Sequence, residues 1–286
     1  MRYFVRTSFF KEGDSYDRRK LLSPEVYREM EQRWPEFHVG GLHGLHVRAE
    51  VGSPLLEEVS AFLPSHGRKP CWTRFPSAKS DGDFVMSGER IFEPQDLIGA
   101  ELVTLGYRQQ ISDLVMYHAD CDVWLDGQTI DPTVTFGGGG ACNLPIVTTD
   151  VRDQIQAAGW GPLTFRPVEI RDAKPNQGSL WLMWPDHEMP PMLNEVVDSA
   201  GRPFDPDTSD RCYIPDLYGP WLFRYAKKDL NLPDGCFAFR TRERFGSNKV
   251  YWGRATRKPD IIVKLEFGEW LKSKGWVEAL HPVVLE

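Results

Sequence analysis

Two segments in the second half of this 286-residue chain share one pattern, and that pattern limits the possible folds more than any other feature. Residues 144–170 and 260–286 align at a shift of 116, and each reads as a strand, a helix, a glycine stop and a second strand. A helix with one apolar stripe needs a sheet or another helix to cover it, so both copies are predicted to pack on sheets. The identities are few enough to arise by chance, so duplication and coincidence both explain them. The matching positions include Ile146 with Ile262, Val147 with Val263, and Gly159-Trp160 with Gly275-Trp276.

The composition is that of an ordinary folded protein. Apolar residues make up 41% and charged residues 26% of the chain, which disfavours disorder, collagen-like repeats and disulfide scaffolds. No stretch approaches the roughly 18 consecutive apolar residues of a membrane span, and the opening MRYFVRTSFFKEGD lacks the apolar core of a signal peptide. Five scattered cysteines form no CxxC pair, and their odd number suits reduced thiols. We therefore expect a cytoplasmic protein.

The first half carries local signals for one strand and three short helices. Tyr3 to Phe10 is rich in aromatic and β-branched residues, which predicts a strand. Ser23-Pro24 and Ser53-Pro54 each place an N-cap residue before a proline at the first helical position, and a later proline ends each pattern. A third helix is predicted from about Pro94 to Leu105.

The middle of the chain predicts a hairpin followed by a break. Apolar and polar residues alternate from Leu114 to Leu125, which predicts one half-buried strand. Asp126-Gly127 is a hairpin-type turn, and Thr129 to Phe136 is predicted as the returning strand. The glycines Gly137 to Gly140 then favour a mobile loop or linker, because they have high backbone entropy and no side chains to pack.

These elements together predict two domains and the α+β class. The boundary is placed at the glycine run, which separates an acidic N-terminal domain, residues 1–140, from a C-terminal domain, residues 141–286. Short strands are expected at Leu222–Tyr225, Cys236–Thr241 and Lys249–Gly253. The expected architecture is mixed or antiparallel sheets with short helices, and the C-terminal half contains the two related strand-helix-strand units.

Charge is distributed unevenly along the chain. The 34 basic and 41 acidic residues give a net charge of −7, which disfavours nucleic acid as a partner because phosphate binding relies on clustered Lys and Arg. Residues 109–151 contain no Lys or Arg and are called the base-free segment below, whereas residues 240–258 are rich in basic side chains. Two interpretations stay open, namely two solvated faces that partly complement each other, or an acidic docking surface. The aspartates of the base-free segment are Asp113, Asp120, Asp122, Asp126, Asp131 and Asp150.

His118, Asp120 and Asp122 are the candidates for chemistry. Alternation along one predicted strand projects them from the same face, about 6.5 to 7 Å apart between neighbours. Such a set could bind a divalent metal or perform acid/base chemistry, and the structural explanation is an outward polar strand face. No second ligand pair, Gly-x-Ser-x-Gly elbow or phosphate-loop signature accompanies it. We therefore predict no metal, cofactor or catalytic residue, and we keep a metal-dependent hydrolase or nucleotide-acting effector enzyme as the alternative.

The C-terminal half resembles a known family. The segment LPIVTTDVRDQIQAAGWGPLTFRPVEI, with the stretches MPPMLNEVVDSAGRPF, RYAKKDL and FAFRTRERFG, is similar to immunity proteins of bacterial polymorphic toxin systems, including a myxobacterial paralogous family with paired CxxCG motifs. The resemblance covers about the last half of the chain. No CxxCG occurs here, so a metal-stapled version of the family is not carried over. The resemblance implies a cytoplasmic protein that binds one cognate toxin and blocks it without turnover.

An immunity-type inhibitor is therefore the leading expectation. An acidic segment could cover the cationic cleft of a nuclease or another basic toxin, and electrostatic attraction would speed the association. We expect no nucleic-acid or membrane partner, and the sequence leaves the oligomeric state open. A structural subunit that associates with itself is a third interpretation. The residues expected to bind the toxin are Asp113, Asp120, Asp122, Asp126 and Asp131.

Overall fold

The computed structural model divides the chain into two compact units. The first unit comprises Met1–Glu93 and Asp216–Trp221, and the second comprises Pro94–Pro215 and Leu222–Glu286. Both combine short helices with mostly antiparallel sheets, so the predicted α+β class is confirmed. The described residues are 1–11, 21–39, 44–68, 70–72, 84–107, 110–112, 115–117, 123–139, 142–175, 177–198, 202–203, 211–212, 214, 218–247 and 258–286.

The first unit is built around a sheet with two helices. Its elements are β1 (Arg2–Lys11), β2 (Leu21–Leu22), α1 (Pro24–Arg33), a 3-10 helix (Pro35–Phe37), β3 (Leu45–Glu50), α2 (Pro54–Ser65), β4 (Pro70–Trp72), β5 (Phe84–Ile91) and a later strand that is β16 in chain order (Tyr218–Gly219). The strand β1 is central and runs antiparallel to both β3 and β5. The strands β2, β4 and β16 add short parallel pairings.

Both helices of the first unit begin at the predicted Ser-Pro pairs. The side chain of Ser23 accepts a hydrogen bond from the Val26 N–H at 3.4 Å, and Ser53 accepts one from the Leu56 N–H at 3.3 Å. The proline after each cap has no N–H, which is harmless in a first turn where that group has no partner in the helix. The apolar faces of the helices and of the sheet form one core. Its members include Val5, Phe9, Met30, Val47, Val59 and Phe62.

The second unit contains most of the strands. Its elements are a 3-10 helix (Pro94–Leu97), β6 (Leu102–Tyr107), β7 (Gln110–Ser112), β8 (Val115–Tyr117), β9 (Val123–Asp126), β10 (Phe136–Gly139), β11 (Cys142–Thr148), α3 (Thr149–Ala157), β12 (Leu163–Pro167), β13 (Glu169–Arg171), β14 (Leu180–Pro185), β15 (Arg211–Cys212), β17 (Arg224–Tyr225), a 3-10 helix (Lys227–Asp229), β18 (Ala238–Arg240), β19 (Gly246–Ser247), β20 (Ile261–Lys264), α4 (Leu265–Ser273), β21 (Val277–Pro282) and β22 (Val284–Leu285).

Two main sheets organise the second unit. One has the strand order β12-β14-β11-β10-β7, and the other has the order β18-β20-β6-β21. Smaller sheets join β13, β9 and β8, and the pairs β15 with β19 and β17 with β22. The two helices contribute their apolar faces to a core shared with both main sheets. Those helix residues are Val151 and Ile155 of α3 and Phe267 and Leu271 of α4.

The repeated pattern predicted from the sequence is present in the structure. Each copy runs from a strand directly into a helix, β11 into α3 and β20 into α4, and ends in a strand. Gly159 and Gly275 follow the two helices with φ of 78° and 74°, the left-handed conformation that glycine adopts without a steric penalty. The opening strand is confirmed as β1, and β17 and β18 lie inside predicted strands. The predicted strand Lys249–Gly253 lies outside the described residues.

The glycine run does not form the expected mobile linker. Residues Phe136–Gly139 are the strand β10, which pairs antiparallel with β11 and parallel with β7. Hydrogen bonding to both neighbours compensates for the backbone entropy that favoured a loop. The two units divide between Glu93 and Pro94, so the division differs from the boundary predicted at residue 140. Gly140 itself lies outside the described residues.

The helix predicted from Pro94 to Leu105 is wrong. A short 3-10 helix ends at Leu97, Gly99 follows with a φ of 79°, and the strand β6 then begins. A left-handed glycine interrupts an α-helix, and β6 pairs with a neighbour on each side. Pairing with strands distant in sequence therefore overrides the helical spacing of Leu97, Ile98 and Leu102, on which the prediction is based.

The long strand predicted from Leu114 to Leu125 is also wrong. The strands β8 and β9 pair antiparallel with each other, with Val115 opposite Leu125 and Tyr117 opposite Val123. The alternating pattern therefore covers two strands of one hairpin, and residues 118–122 lie outside the described residues. The return strand predicted from Thr129 to Phe136 is replaced by turns, because Asp131 and Thr133 form a local hydrogen-bonded turn before β10 begins.

Candidate functional site

The structure describes two of the five aspartates expected to bind a partner. Asp131 is exposed and Asp126 is partly exposed. Asp113, Asp120 and Asp122 lie outside the described residues, as does His118. The candidate site is therefore built from the base-free segment around Asp126 and Asp131.

Asp126 organises the turn at the end of β9. Its carboxylate Oδ1 accepts a hydrogen bond from the Gln128 N–H at 2.8 Å, and its carbonyl accepts one from the Thr129 hydroxyl at 3.0 Å. Aspartate side chains commonly stabilise turns in this way. The next residue, Gly127, is buried, and its N–H donates to the Arg171 carbonyl at 2.7 Å. Asp126 therefore has a structural role in addition to its charge.

Asp131 forms a second local turn. Its Oδ1 accepts hydrogen bonds from both the backbone N–H and the hydroxyl of Thr133, at 2.9 and 2.7 Å. These hydrogen bonds lower the pKa of Asp131, because they favour the ionised carboxylate. The Asp131 N–H donates to the Ile111 carbonyl at 3.0 Å. An exposed carboxylate that stays ionised is thus fixed in position by the backbone.

The described parts of the base-free segment fold onto one another. The strands β8 and β9 form a hairpin, and the Asp131 to Ile111 hydrogen bond joins the turn after β9 to β7. The strand β10 then pairs with β7, so the segment closes on itself. Bringing distant parts of a 43-residue segment together costs chain entropy, and in the base-free segment backbone hydrogen bonds offset that cost.

Two cations from another part of the chain lie beside the Asp126 turn. The guanidinium of Arg171 lies 3.9 Å from the Trp124 ring centroid and forms an ion pair with Glu169 at 2.9 Å. Lys174 Nζ donates to the Gln128 carbonyl at 3.0 Å. A segment without basic residues in sequence therefore has basic neighbours in space. Sequence reasoning missed them because the parallel pairing of β13 with β9 joins residues far apart in the chain.

The three residues of the catalytic alternative, His118, Asp120 and Asp122, all lie outside the described residues, so this alternative stays a prediction. In the described part of the chain, no group of three or more His, Cys, Asp or Glu side chains is arranged to hold a metal ion.

One buried titratable cluster lies outside the sequence-based candidates. Glu243 Oε1 accepts a hydrogen bond from the Met192 N–H at 3.0 Å, while the buried Oε2 has no hydrogen-bond partner among the described residues. Burial raises the pKa of Glu243. Burial, with the nearby charges of Glu243 and Asp260, also raises the pKa of Tyr225. No sequence pattern marks this cluster, because its members come from separate strands and loops.

Within the residues that the structure describes, no helix is both long enough and apolar enough to cross a bilayer.

Comparisons with protein-family models, with curated proteins and with solved structures each give no match for this chain.

Proposed function

We propose that this chain is an immunity-type protein that binds a cognate protein toxin and blocks it without turnover. The observation that carries the proposal is the folded base-free segment, which holds Asp131 exposed and ionised on a backbone fixed by hydrogen bonds. The resemblance to immunity proteins that we draw from the sequence pattern of the C-terminal half points to the same function. Inhibition of this kind needs a complementary shape and charge, and it requires no reactive group.

The electrostatic argument gives the chemistry of the partner. A negatively charged patch favours a cationic surface, such as the substrate cleft of a nuclease, and raises the association rate at low salt. Arg171 and Lys174 border the patch beside Asp126. We therefore place the centre of the contact toward the exposed Asp131, away from these two cations.

We also propose a cytoplasmic location and a partner that is neither nucleic acid nor membrane. The net charge of −7 opposes binding to phosphates and to anionic lipids. The buried thiol of Cys236 donates to the Ala238 carbonyl at 3.3 Å, and burial raises its pKa. A thiol in this state is poorly nucleophilic, as expected of a reduced structural cysteine.

The test is a charge-neutralised variant. The five aspartates Asp113, Asp120, Asp122, Asp126 and Asp131 are replaced by asparagine, whose Oδ1 can still accept the turn hydrogen bonds. We expect the affinity for the toxin encoded beside the gene to fall roughly 10- to 100-fold at low salt, since exposed charge pairs contribute about 0.2 to 1 kcal/mol each. The salt dependence of the association rate is expected to decrease as well.

A matched control changes the net charge by the same amount elsewhere. Asp229, Asp234, Glu266, Glu269 and Glu278 are all exposed, and the control replaces them by their amides. We expect this control to bind almost as tightly as the unmodified protein. Unchanged affinity of the first variant at both low and high salt would reject the proposed surface, and equal losses in the two variants would show a non-specific charge effect.

A further inference from the structure

Two sets of seven elements follow one another in the second unit in the same order. The first set, called module A, is β6, β9, β10, β11, α3, β12 and β13. The second set, called module B, is β14, β17, β18, β20, α4, β21 and β22. The sequence similarity covers only the last part of each module, whereas the correspondence covers all seven elements, from the first strand to the last.

Every pairing among these fourteen elements has an equivalent, whereas the strands β7 and β8 of the first stretch and β15 and β19 of the second lie outside the correspondence. The strand β6 lies antiparallel between β20 and β21, the two strands that flank α4. The strand β14 likewise lies antiparallel between β11 and β12, the two strands that flank α3. The third strand pairs antiparallel with the fourth, as β10 with β11 and β18 with β20. The last strand pairs parallel with the second, as β13 with β9 and β22 with β17.

The registers of the strands also agree residue by residue. Ile146 lies opposite Leu182, and the equivalent Ile262 lies opposite Thr104. This comparison makes Leu182 of β14 equivalent to Thr104 of β6. When the same correspondence is continued along the two strands, equivalent residues of β12 and β21 have equivalent partners at every position except the irregularity at Val277. Two unrelated sheets have no reason to share a register, because the hydrophobic pattern and turns of each sheet set its own register.

Hydrogen bonds outside the strands repeat as well. Turns, strand ends and helix starts use the same donor and acceptor positions in the two modules, at nearly the same distances. The pairs are Gly127 to Arg171 at 2.7 Å with Lys227 to Glu286 at 2.7 Å, Val134 to Asp131 at 3.2 Å with Cys236 to Pro233 at 3.1 Å, Thr148 to Thr135 at 2.9 Å with Lys264 to Phe237 at 2.9 Å, and Val168 to Leu180 at 2.9 Å with Val283 to Leu102 at 2.9 Å.

The first strand of each module lies in the sheet of the other module. The strand β6 opens module A, yet it lies between β20 and β21 of module B. The strand β14 opens module B, yet it lies between β11 and β12 of module A. Each exchanged strand also contacts the same strand of its own module, because β6 contacts β10 in module A and β14 contacts the equivalent β18 in module B.

We infer that the second unit is a duplicated module whose two copies have exchanged their first strands, so that each main sheet is completed by the other copy. The exchanged strands join the two modules. Neither sheet is continuous without a strand from the other module, because removal of β6 or β14 separates the two strands that it joins. The arrangement is that of a swapped dimer contained in one chain.

Aromatic residues support the same relation between the modules. Trp160 and Trp276 are equivalent, each one residue after the glycine that ends a helix. Each packs on a residue of the other module, Trp160 on Phe237 at 4.8 Å and Trp276 on Phe136 at 5.9 Å between ring centroids. Trp270 contacts both tryptophans, at 5.7 and 5.6 Å. The modules are thus joined by side-chain packing as well as by the exchanged strands.

The first test cuts the full-length chain between the modules. A protease site is inserted between Gly178 and Ser179, which are both exposed and lie between β13 and β14. We expect the two fragments to stay together in gel filtration after cleavage and to separate only in denaturant, because each holds the central strand of the other's sheet. Fragments that separate in buffer and keep their own folded cores would overturn the exchange.

The second test fixes the strand partners chemically. We expect the pairs Ile146→Cys with Leu182→Cys, and Thr104→Cys with Ile262→Cys, to form disulfides that link the fragments of the cleaved chain on a non-reducing gel. The matched control, Thr104→Cys with Ile146→Cys, joins the positions that would face each other if each first strand stayed in its own module. Because both control positions lie in the N-terminal fragment, loss of free thiols in that fragment measures their disulfide. A disulfide in the control, or none in the first two pairs, contradicts the inference, and neither result bears on toxin binding.

Discussion

The turn after β9 depends on the absence of a side chain at Gly127. A Cβ at this position would lie 2.7 Å from the Asp172 carbonyl oxygen and 2.8 Å from the Ala173 Cα, and backbone atoms cannot rotate away. We predict that Gly127→Ala lowers the free energy of unfolding by about 1 to 3 kcal/mol, as expected for overpacking. Urea denaturation measures the change. Gly178→Ala is the matched control, because nothing lies within 4 Å of its added Cβ, and equal losses in both variants would contradict the steric explanation.

Glu243 makes the stability of the second unit dependent on pH. Its pKa is raised in the folded protein by burial, so the folded state holds the proton to a higher pH than the unfolded state does. The contribution of the protonated Glu243 to the free energy of unfolding is complete below the pKa of the unfolded state. This contribution is lost as the pH rises through the pKa of the folded state. We therefore predict that Glu243→Gln raises the melting temperature at pH 8 and changes it less at pH 4, where the carboxyl is protonated.

Thermal unfolding at the two pH values measures this difference. Gln keeps an oxygen for the Met192 N–H and carries no charge, so the comparison isolates ionisation. Glu195→Gln is the control, because Glu195 is exposed. A stabilisation by Glu243→Gln that is equal at both pH values would show that ionisation of this carboxyl does not explain the effect.

At the scale of elements, the cap of α2 is held by one side chain. Ser53 accepts the Leu56 N–H at 3.3 Å, and the loss of an N-cap acceptor commonly costs about 1 kcal/mol. We predict that Ser53→Ala destabilises α2 by about that amount, whereas Ser53→Asp, which keeps an acceptor, has little effect. Amide hydrogen exchange of the first turns of α2 measures the change. Equal protection in the two variants would show that the proline at the first position is sufficient to start the helix.

Elements with local signals could be predicted from the sequence. The Ser-Pro pairs mark α1 and α2, and the glycines after α3 and α4 mark where those helices end. Such signals act within a few residues of one another, so they hold in any tertiary context. Strands such as β6 and β10 depend instead on distant partners, because only pairing on both sides makes a strand of a leucine-rich or glycine-rich stretch.

The candidate site follows the same division between local and distant effects. The turn at Asp126-Gly127 was evident from its residues, and the structure places a turn there. The neighbours that modify its charge, Arg171 and Lys174, arrive through the parallel pairing of β13 with β9. A list of charges along the chain therefore overstates the acidity of a surface, since it omits cations supplied by other strands.

At the scale of the whole molecule, the duplicated modules differ in charge at equivalent turns. Ala226, Lys227 and Lys228 of module B occupy the positions of Asp126, Gly127 and Gln128 in module A, as the equivalent hydrogen bonds of Gly127 and Lys227 show. Arg171 ends one copy where Glu286 ends the other, and each accepts the equivalent hydrogen bond through its carbonyl. One fold thus presents an acidic turn in module A and a basic turn in module B.

This divergence predicts that only one of the two turns takes part in binding the toxin. We expect Asp126→Asn to slow association by about 2- to 5-fold at low salt, which is typical of one exposed charge, and to have less effect at high salt. Lys228→Gln removes one charge from the equivalent turn of module B, and we expect it to leave the association rate within 2-fold of the unmodified protein. Lys227 is unsuitable for this comparison because it forms an ion pair with Glu101. Stopped-flow association at two salt concentrations measures both variants, and a larger effect of Lys228→Gln than of Asp126→Asn would move the proposed contact from module A to module B.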